Sequence, residues 1–239
     1  MNITYYDKVI RGTEHEDGLV IIQFLKGMVG QTFSFLNYYK EIPVSYDARL
    51  VSVENDMAEF EIHEYQAKVI SIEKKALIRA HEKSPVPDDL VGEVFYVNTA
   101  RRKVILTRFH YAKIRSDLRR FVRVCLDDRR ADVDMYLEND IIPASVRDIS
   151  LGGVALRVTN PAGIEPGMEV NLILKLVTPD DAAPHEIGVA CTVTRLLGAA
   201  PDYTCILEFH PDRHSQQALA YYINQRQVEI IRELKELAT

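Results

Sequence analysis

Apolar and polar side chains alternate with a period of two through most of this chain, and no other feature limits its fold as much. The clearest stretch is Ala58-Glu59-Phe60-Glu61-Ile62-His63, with one oily face and one wet face. Similar runs occupy Ala48–Glu54, Ala67–Ile72, Gly92–Val97 and Lys103–Phe109. Turn-forming breaks separate them: Glu54-Asn55-Asp56, then His81 through Asp89 with Pro85 and Pro87, then Asn98-Thr99. Short strands at this spacing predict an antiparallel barrel or sandwich. The first forty residues are mixed. There Leu19, Ile22, Leu25 and Val29 line one side of a short helix interrupted by Gly27 and Gly30.

A second β series begins near Arg120. Its strands are predicted at Arg120–Leu126, Ala131–Leu137, Ala144–Arg147, Val154–Val158, Glu169–Val177, Ile187–Leu196 and Tyr203–Phe209. Pro161, Pro166-Gly167, Pro179-Asp180-Asp181 and the stretch from Gly198 to Asp202 punctuate the series, and Asp127-Asp128-Arg129-Arg130 reads as a hairpin turn. No helix alternates with these strands, which argues against a parallel α/β sheet. The chain then turns helical. Leu219, Tyr222, Ile223, Ile230, Leu234 and Leu237 recur at three- and four-residue spacing, with Asp212 or Ser215 placed to cap the start. Tyr221, Val228 and Ile231 fall off that stripe; they are either the margin of a wide buried face or a surface for a second copy of the chain. Between the two β series, Tyr111 to Arg119 has no strong period and reads as a joint. The expected division is residues 1–112 and 113–239.

Charge is distributed unevenly. The whole chain carries 29 basic and 35 acidic residues, net −6, which argues against general affinity for nucleic-acid polymers. Yet the window 101–130 holds eleven basic residues, nine of them arginine, against Asp117, Asp127 and Asp128. That leaves +8 there and −14 elsewhere. One reading is a solvated face balanced by acids; the other is a site for planar, bidentate contact with phosphate or a base edge, which suits arginine better than lysine. The longest apolar run, Gly18 to Val29, contains Gln23 and Lys26 and is too short to span a membrane. The polar, acidic start does not resemble a secretory signal. Cys125, Cys191 and Cys205 show no CxxC spacing and read as core thiols in a reducing, cytoplasmic setting. His210 and His214, four apart with Pro211 between them, have no third ligand, and His15 among acids is no better; no metal, cofactor or catalytic constellation is expected.

Two short patterns carry the chemistry. Arg119-Arg120-Phe121-Val122-Arg123 is an RxxxR spacing directly after the joint, and Asp148-Ile149-Ser150-Leu151-Gly152-Gly153 is a DxSxxG spacing between two strands. Either alone is an ordinary basic run or turn. Together, about 25 residues apart at the start of a β domain, they resemble the PilZ family, the cyclic di-GMP receptor domains. The closing LEFHPDRHSQQALAYYINQRQ is similar to that family's strand-into-helix ending. The region from Ile42 to Ile114 more loosely resembles the split barrel that precedes PilZ in flagellar-brake-type proteins. The resemblance implies two β-barrel domains: an N-terminal split-barrel-like interaction domain and a C-terminal six-stranded antiparallel barrel with a C-terminal helix. It implies cyclic di-GMP as the ligand, no enzyme activity, and a protein partner in motility, exopolysaccharide output or another surface behaviour.

By this resemblance the ligand residues are Arg119, Arg123, Asp148, Ser150 and Gly153, with Arg115, Arg120 and Gly152 as auxiliaries. The residue types suit the ligand. Guanidinium groups fit phosphate oxygens or guanine O6 and N7, and a carboxylate accepts from guanine N1–H and N2–H₂. Serine donates to phosphate or fixes the loop, and glycine lets backbone approach closely. On a regular strand Arg119 and Arg123 would share a face; on a loop they could close on the ligand from two sides. The family implies the loop, and closure at a joint would reorient one domain against the other. Two alternatives stand beside this reading: a single-stranded nucleic-acid-binding barrel, for which only Phe109, Tyr111 and Phe121 lie near the arginines, and a PilZ-like scaffold acting only through protein contacts.

Overall fold

The structure, a computed structural model, describes residues 5–80, 86–115, 119–126, 131–137, 140–161, 163–177 and 184–238. The breaks expected at His81–Pro85 and Pro179-Asp180-Asp181, the turn Asp127–Arg130 and the joint residues 116–118 lie outside the described residues. By contacts the chain forms two units: Met1–Tyr39, Pro43–Arg119 and Arg232–Thr239 make the first, Lys40–Ile42 and Arg120–Ile231 the second.

The first unit contains β1 (Tyr6–Val9), α1 (Glu14–Lys26), β2 (Thr32–Tyr39), β3 (Ile42–Glu54), β4 (Met57–Glu61), α2 (Glu64–Glu73), β5 (Lys75–Arg79), β6 (Leu90–Asn98) and β7 (Lys103–Ile114). Its strands run in the order β1-β7-β4-β3-β2-β5-β6, and β6 returns to pair with β7, so the sheet closes on itself. Phe33, Phe35, Leu50, Phe60, Val104 and Leu106 fill the core. The Phe60 ring meets Phe33 and Phe35 edge-on, at centroid distances of 5.7 and 5.0 Å, the geometry aromatic quadrupoles favour.

Two expectations here need correction. Ala67–Ile72 is not a strand but the body of α2, which begins at His63, whose Nδ1 accepts from the Tyr65 N–H, and ends at Lys74 in the left-handed region. Helical spacing explains its burial: Gln66, Ala67, Val69 and Ile70 face inward while Ile72 is exposed. The buried Gln66 donates to Asn37, which in turn donates to Glu73, so a polar chain ties the helix to β2. In α1 the inward face is Ile21, Ile22 and Leu25 rather than Leu19 and Val29, which are exposed. Thr13 and Glu16 form a reciprocal capping box that fixes where the helix starts, and hence its rotation. Strands β1, β2 and β5 had no sequence forecast.

The second unit contains β8 (Arg123–Cys125), β9 (Asp132–Tyr136), β10 (Ile141–Ser150), β11 (Gly153–Val158), β12 (Glu169–Leu176), β13 (His185–Ala199), β14 (Asp202–His210) and α3 (Arg213–Ala238). The strand order is β11-β14-β13-β12-β9-β10-β8, and β10 also pairs with β11. Six antiparallel strands thus form a closed barrel, with β8 added alongside β10. Burial alternates as the sequence pattern requires: Val170, Leu172, Leu174 and Leu176 of β12 point inward. The three forecast strands of the β10–β12 region and the two that follow appear where expected, with ends moved by a few residues.

Asp212 caps α3, its Oδ1 accepting from the Ser215 hydroxyl and from the Ser215 N–H, the latter at 2.7 Å, and these bonds hold the Asp212 carboxyl below the usual carboxylate range. Leu219, Tyr222, Ile223, Ile230 and Leu234 are buried as the stripe predicts, whereas Leu237, Tyr221, Val228 and Ile231 are exposed. Arg226 is also buried; its Nε donates to the Cys125 carbonyl at 3.3 Å and its guanidinium pairs with Glu229 at 2.9 Å, which ties α3 to β8. Among the described residues no helix is long and apolar enough to cross a membrane.

His110 on β7 gives a test of the first unit. Burial pushes its pKa below the ordinary 6.5, although its Nδ1 lies 3.4 Å from the Arg108 carbonyl. The charged and titratable groups around it are Tyr6 and Lys8 on β1, Glu14 on α1 and Glu93 on β6. The unfolded chain takes up this proton first as pH falls, so its contribution is complete above 6.5 and is lost below it. Thermal melts at about pH 7.5 and pH 5.5 should therefore show a drop in wild type that shrinks in His110→Phe.

Candidate functional site

Strand pairing assembles the site. On β8 and β10, Arg123 lies opposite Ser150, Val124 opposite Ile149 and Cys125 opposite Asp148. Because side chains alternate, Val124 and Ile149 point into the barrel, while Arg123, Asp148 and Ser150 share the other face. The Arg123 guanidinium is 3.8 Å from Asp148 Oδ1; the arginine side chain is 39% exposed and the carboxylate 10%. A bulge between Val146 and Asp148 shifts the register of β10 against β11 just before the motif. The strand then ends in a two-residue turn, Leu151-Gly152, with Ser150 opposite Gly153. The Ser150 hydroxyl donates to the Gly153 carbonyl at 3.2 Å, so its resting task is to brace the turn.

The two glycines do different work. A Cβ on Gly153 would stand 2.3 Å from the Leu207 carbonyl oxygen on β14, so this position is bare because the barrel closes there. At Gly152 a Cβ would meet the Phe121 ring at 2.9 Å, so the ring rests on this residue's bare backbone. The Arg120 guanidinium lies 5.2 Å from the Phe121 ring centroid. Phe121 is the residue the motif reading passed over as a spacer; an aromatic inside RxxxR facing a glycine inside DxSxxG was the available signal.

The remaining arginines are placed elsewhere. Arg119 belongs by contacts to the first unit, where its guanidinium lies 5.8 Å from the Tyr5 ring centroid, and Tyr5 stacks on Tyr38 at 3.9 Å. Arg115 forms a two-pronged pair with Asp7, its Nε donating to Oδ2 at 2.7 Å; this pair lowers the Asp7 pKa and raises that of Arg115. Thus Arg123, Asp148, Ser150, Gly152, Gly153 and Arg120 lie in the second unit, and Arg115 and Arg119 in the first. Neither Arg119 nor Arg120 is in a strand, in keeping with the loop alternative for this segment.

The donor sets offer little to a metal. Among the described residues no group of three or more His, Cys, Asp or Glu side chains converges, and His210 Nε2 is 2.7 Å from the Thr192 hydroxyl. Burial pushes Cys191 up to about 12 and Cys205 up to about 11, so both are neutral thiols filling the barrel wall, as expected of them. Cys125 is only partly buried.

Residues 117–225 match the family model described as PilZ domain. No curated protein matches the chain. Among solved structures the chain is similar to the inhibitor of motility MotI/DgrA of Bacillus subtilis, at 17% identity over 84% of this chain and 98% of that one, TM-score 0.41. It is also similar to YcgR of Escherichia coli in complex with c-di-GMP, at 10% identity over 98% and 97%, TM-score 0.44. A third is the MrkH–c-di-GMP complex of K. pneumonia, at 14% identity over 96% and 99%, TM-score 0.42.

The contrast between glycines is testable by denaturant unfolding. Gly153→Ala should destabilise the second unit by about 2 kcal/mol or more, because backbone rather than a side-chain tip must move. Gly188→Ala on β13, where a Cβ meets nothing within 4 Å, should stay within about 0.5 kcal/mol of wild type.

Proposed function

We propose that this chain, whose residues 117–225 match the PilZ domain model, is a cyclic di-GMP receptor whose second unit binds the nucleotide on the face shared by Arg123, Asp148 and Ser150. The observation that carries this reading is the cross-strand placement of a guanidinium beside a nearly buried carboxylate, next to a hydroxyl. These groups match the ligand. Guanine presents N1–H and N2–H₂ donors to Asp148 and O6 and N7 acceptors to arginine, while the two phosphates take further guanidinium forks. Each charge-assisted bond contributes about 1.5–3 kcal/mol. Four or five, less the cost of ordering a loop, leave about −8 kcal/mol, a micromolar-class affinity.

In this mechanism Arg119 exchanges its place over Tyr5 for a ligand contact, and Arg123 turns from Asp148 toward phosphate or guanine. The segment upstream of Phe121, with Arg119 and Arg120, closes around the nucleotide. Since it joins the two units, binding alters their relation and so presents or withdraws a surface for a protein partner. The output is signal transduction, with motility or another surface behaviour as the controlled process. Arg115 stays with Asp7 and contributes little to binding.

Calorimetry with cyclic di-GMP tests the reading. Wild type should bind, and Arg119→Ala, Arg123→Ala and Asp148→Ala should each lose about 1.5 kcal/mol or more, at least about tenfold in Kd. Arg115→Ala should stay within about threefold. A heat-silent wild type, or three variants that bind as tightly as the parent, would overturn the assignment. Small-angle scattering addresses the rearrangement: profiles with and without saturating ligand should differ, and superimposable ones would refute it.

A further inference from the structure

The register that pairs Arg123 with Ser150 has a continuation. Backbone pairing of β8 with β10 runs Cys125 to Asp148, Val124 to Ile149 and Arg123 to Ser150, and there it stops. Two more antiparallel steps bring Phe121 opposite Gly152, which is where its ring is found. The ladder therefore goes on past its last backbone pair as a contact between an aromatic ring and bare glycine backbone. Such a contact holds two strands in register without hydrogen bonds, the ring covering the surface a glycine leaves open. Arg120, with its guanidinium on the same ring, adds a cation–π contact to the seat.

We infer that Phe121 is a positioning residue: seated on Gly152, it clamps the arginine segment to the β10–β11 hairpin and holds Arg123 at Asp148 before any ligand arrives. This inference rests on the receptor reading for its effect on affinity, and on geometry alone for the seat itself. The clamp divides the RxxxR segment into a preorganised half from Phe121 to Arg123 and an upstream half, Arg119 and Arg120, that lies beyond the last register contact. Preorganisation raises affinity because fewer rotamers and less backbone are immobilised on binding. The glycine is needed at 152 for the ring, and the phenylalanine at 121 for the glycine. That mutual dependence separates a clamp from an apolar residue that only covers barrel surface.

A double-mutant cycle on cyclic di-GMP affinity reads that dependence. Phe121→Ala and Gly152→Val should each weaken binding about tenfold, and the pair together should be no worse than about twofold below Phe121→Ala alone. Phe121→Tyr, which keeps the ring, should bind as wild type. Losses that multiply in the double variant, or single variants that bind normally, would overturn the inference. A second readout needs no ligand. The chain contains no tryptophan, so Phe121→Trp gives a single reporter, whose emission should shift to the red when Gly152→Val is added. Emission unchanged by that addition would show the ring was never seated. Should wild type fail to bind the nucleotide, the receptor reading falls while the emission experiment still decides the seat. Phe121 is 36% exposed, so its truncation leaves the barrel core intact.

Discussion

Register between β8 and β10 is the constraint on which the site depends. Pairing Arg123 with Ser150 places the arginine beside Asp148, since residues two apart on one strand share a face with the residue opposite them. A slip of one residue would turn Val124 outward and send Arg123 into the barrel, which burial of an unpaired guanidinium forbids. Three features hold the register. Val124 and Ile149 are fully buried, Leu126 donates to the Arg147 carbonyl just past the strand, and Arg226 reaches the Cys125 carbonyl from α3. A strand of only three residues is thus fixed by contacts at its C-terminal end and on its inner face.

The basic window shows why summed charge is a poor guide to a site. Four of its members pair with acids nearby: Arg102 with Glu64, Lys103 with Glu59, Arg108 with Glu93 and Arg115 with Asp7. Exposed pairs of this kind do little for stability, but they reduce the field that the window's cations would produce. For these four the reading as a balanced solvated face is the right one. What sets Arg120 and Arg123 apart is their neighbours, an aromatic ring and a carboxylate that is 10% exposed, rather than their sign. A count of charges along the sequence cannot register that difference.

The second unit was legible in the sequence because its strands bury one face each, so period-two alternation survives in strands such as β12, where every second residue points inward. The first unit was less so. β2 reads Thr-Phe-Ser-Phe-Leu-Asn-Tyr-Tyr and is buried on both faces through its second half, which erases alternation. α2 failed in the opposite direction: Ala67-Lys68-Val69-Ile70-Ser71-Ile72 alternates well enough to pass for a strand. Its helical state is set by His63, by Lys74 in the left-handed region, and by the chain from Gln66 through Asn37, a residue 29 positions away. In the site, the motif spacing pointed to Arg123, Asp148 and Ser150, which do share one face. The reasons for the glycines did not follow, because Leu207 and Phe121 reach them across strands.

The energetics of the proposed exchange favour an asymmetric division between the two motif arginines. A cation 5.8 Å from the ring of the buried Tyr5 is worth up to about 2 kcal/mol, comparable with one charge-assisted bond to phosphate at about 1.5–3 kcal/mol. In the proposed exchange the gain at Arg119 is therefore limited by the contacts it leaves as well as by the backbone entropy of closing the segment. Arg123 faces a different balance. Its backbone is already held by β8 and the Phe121 seat, so its ordering cost is small, but on moving to the ligand it gives up its contact with a nearly buried carboxylate. In the proposed complex guanine N1–H and N2–H₂ would replace the Arg123 contact at Asp148, so the carboxylate would favour a guanine-bearing anion over a ligand that offers phosphates alone.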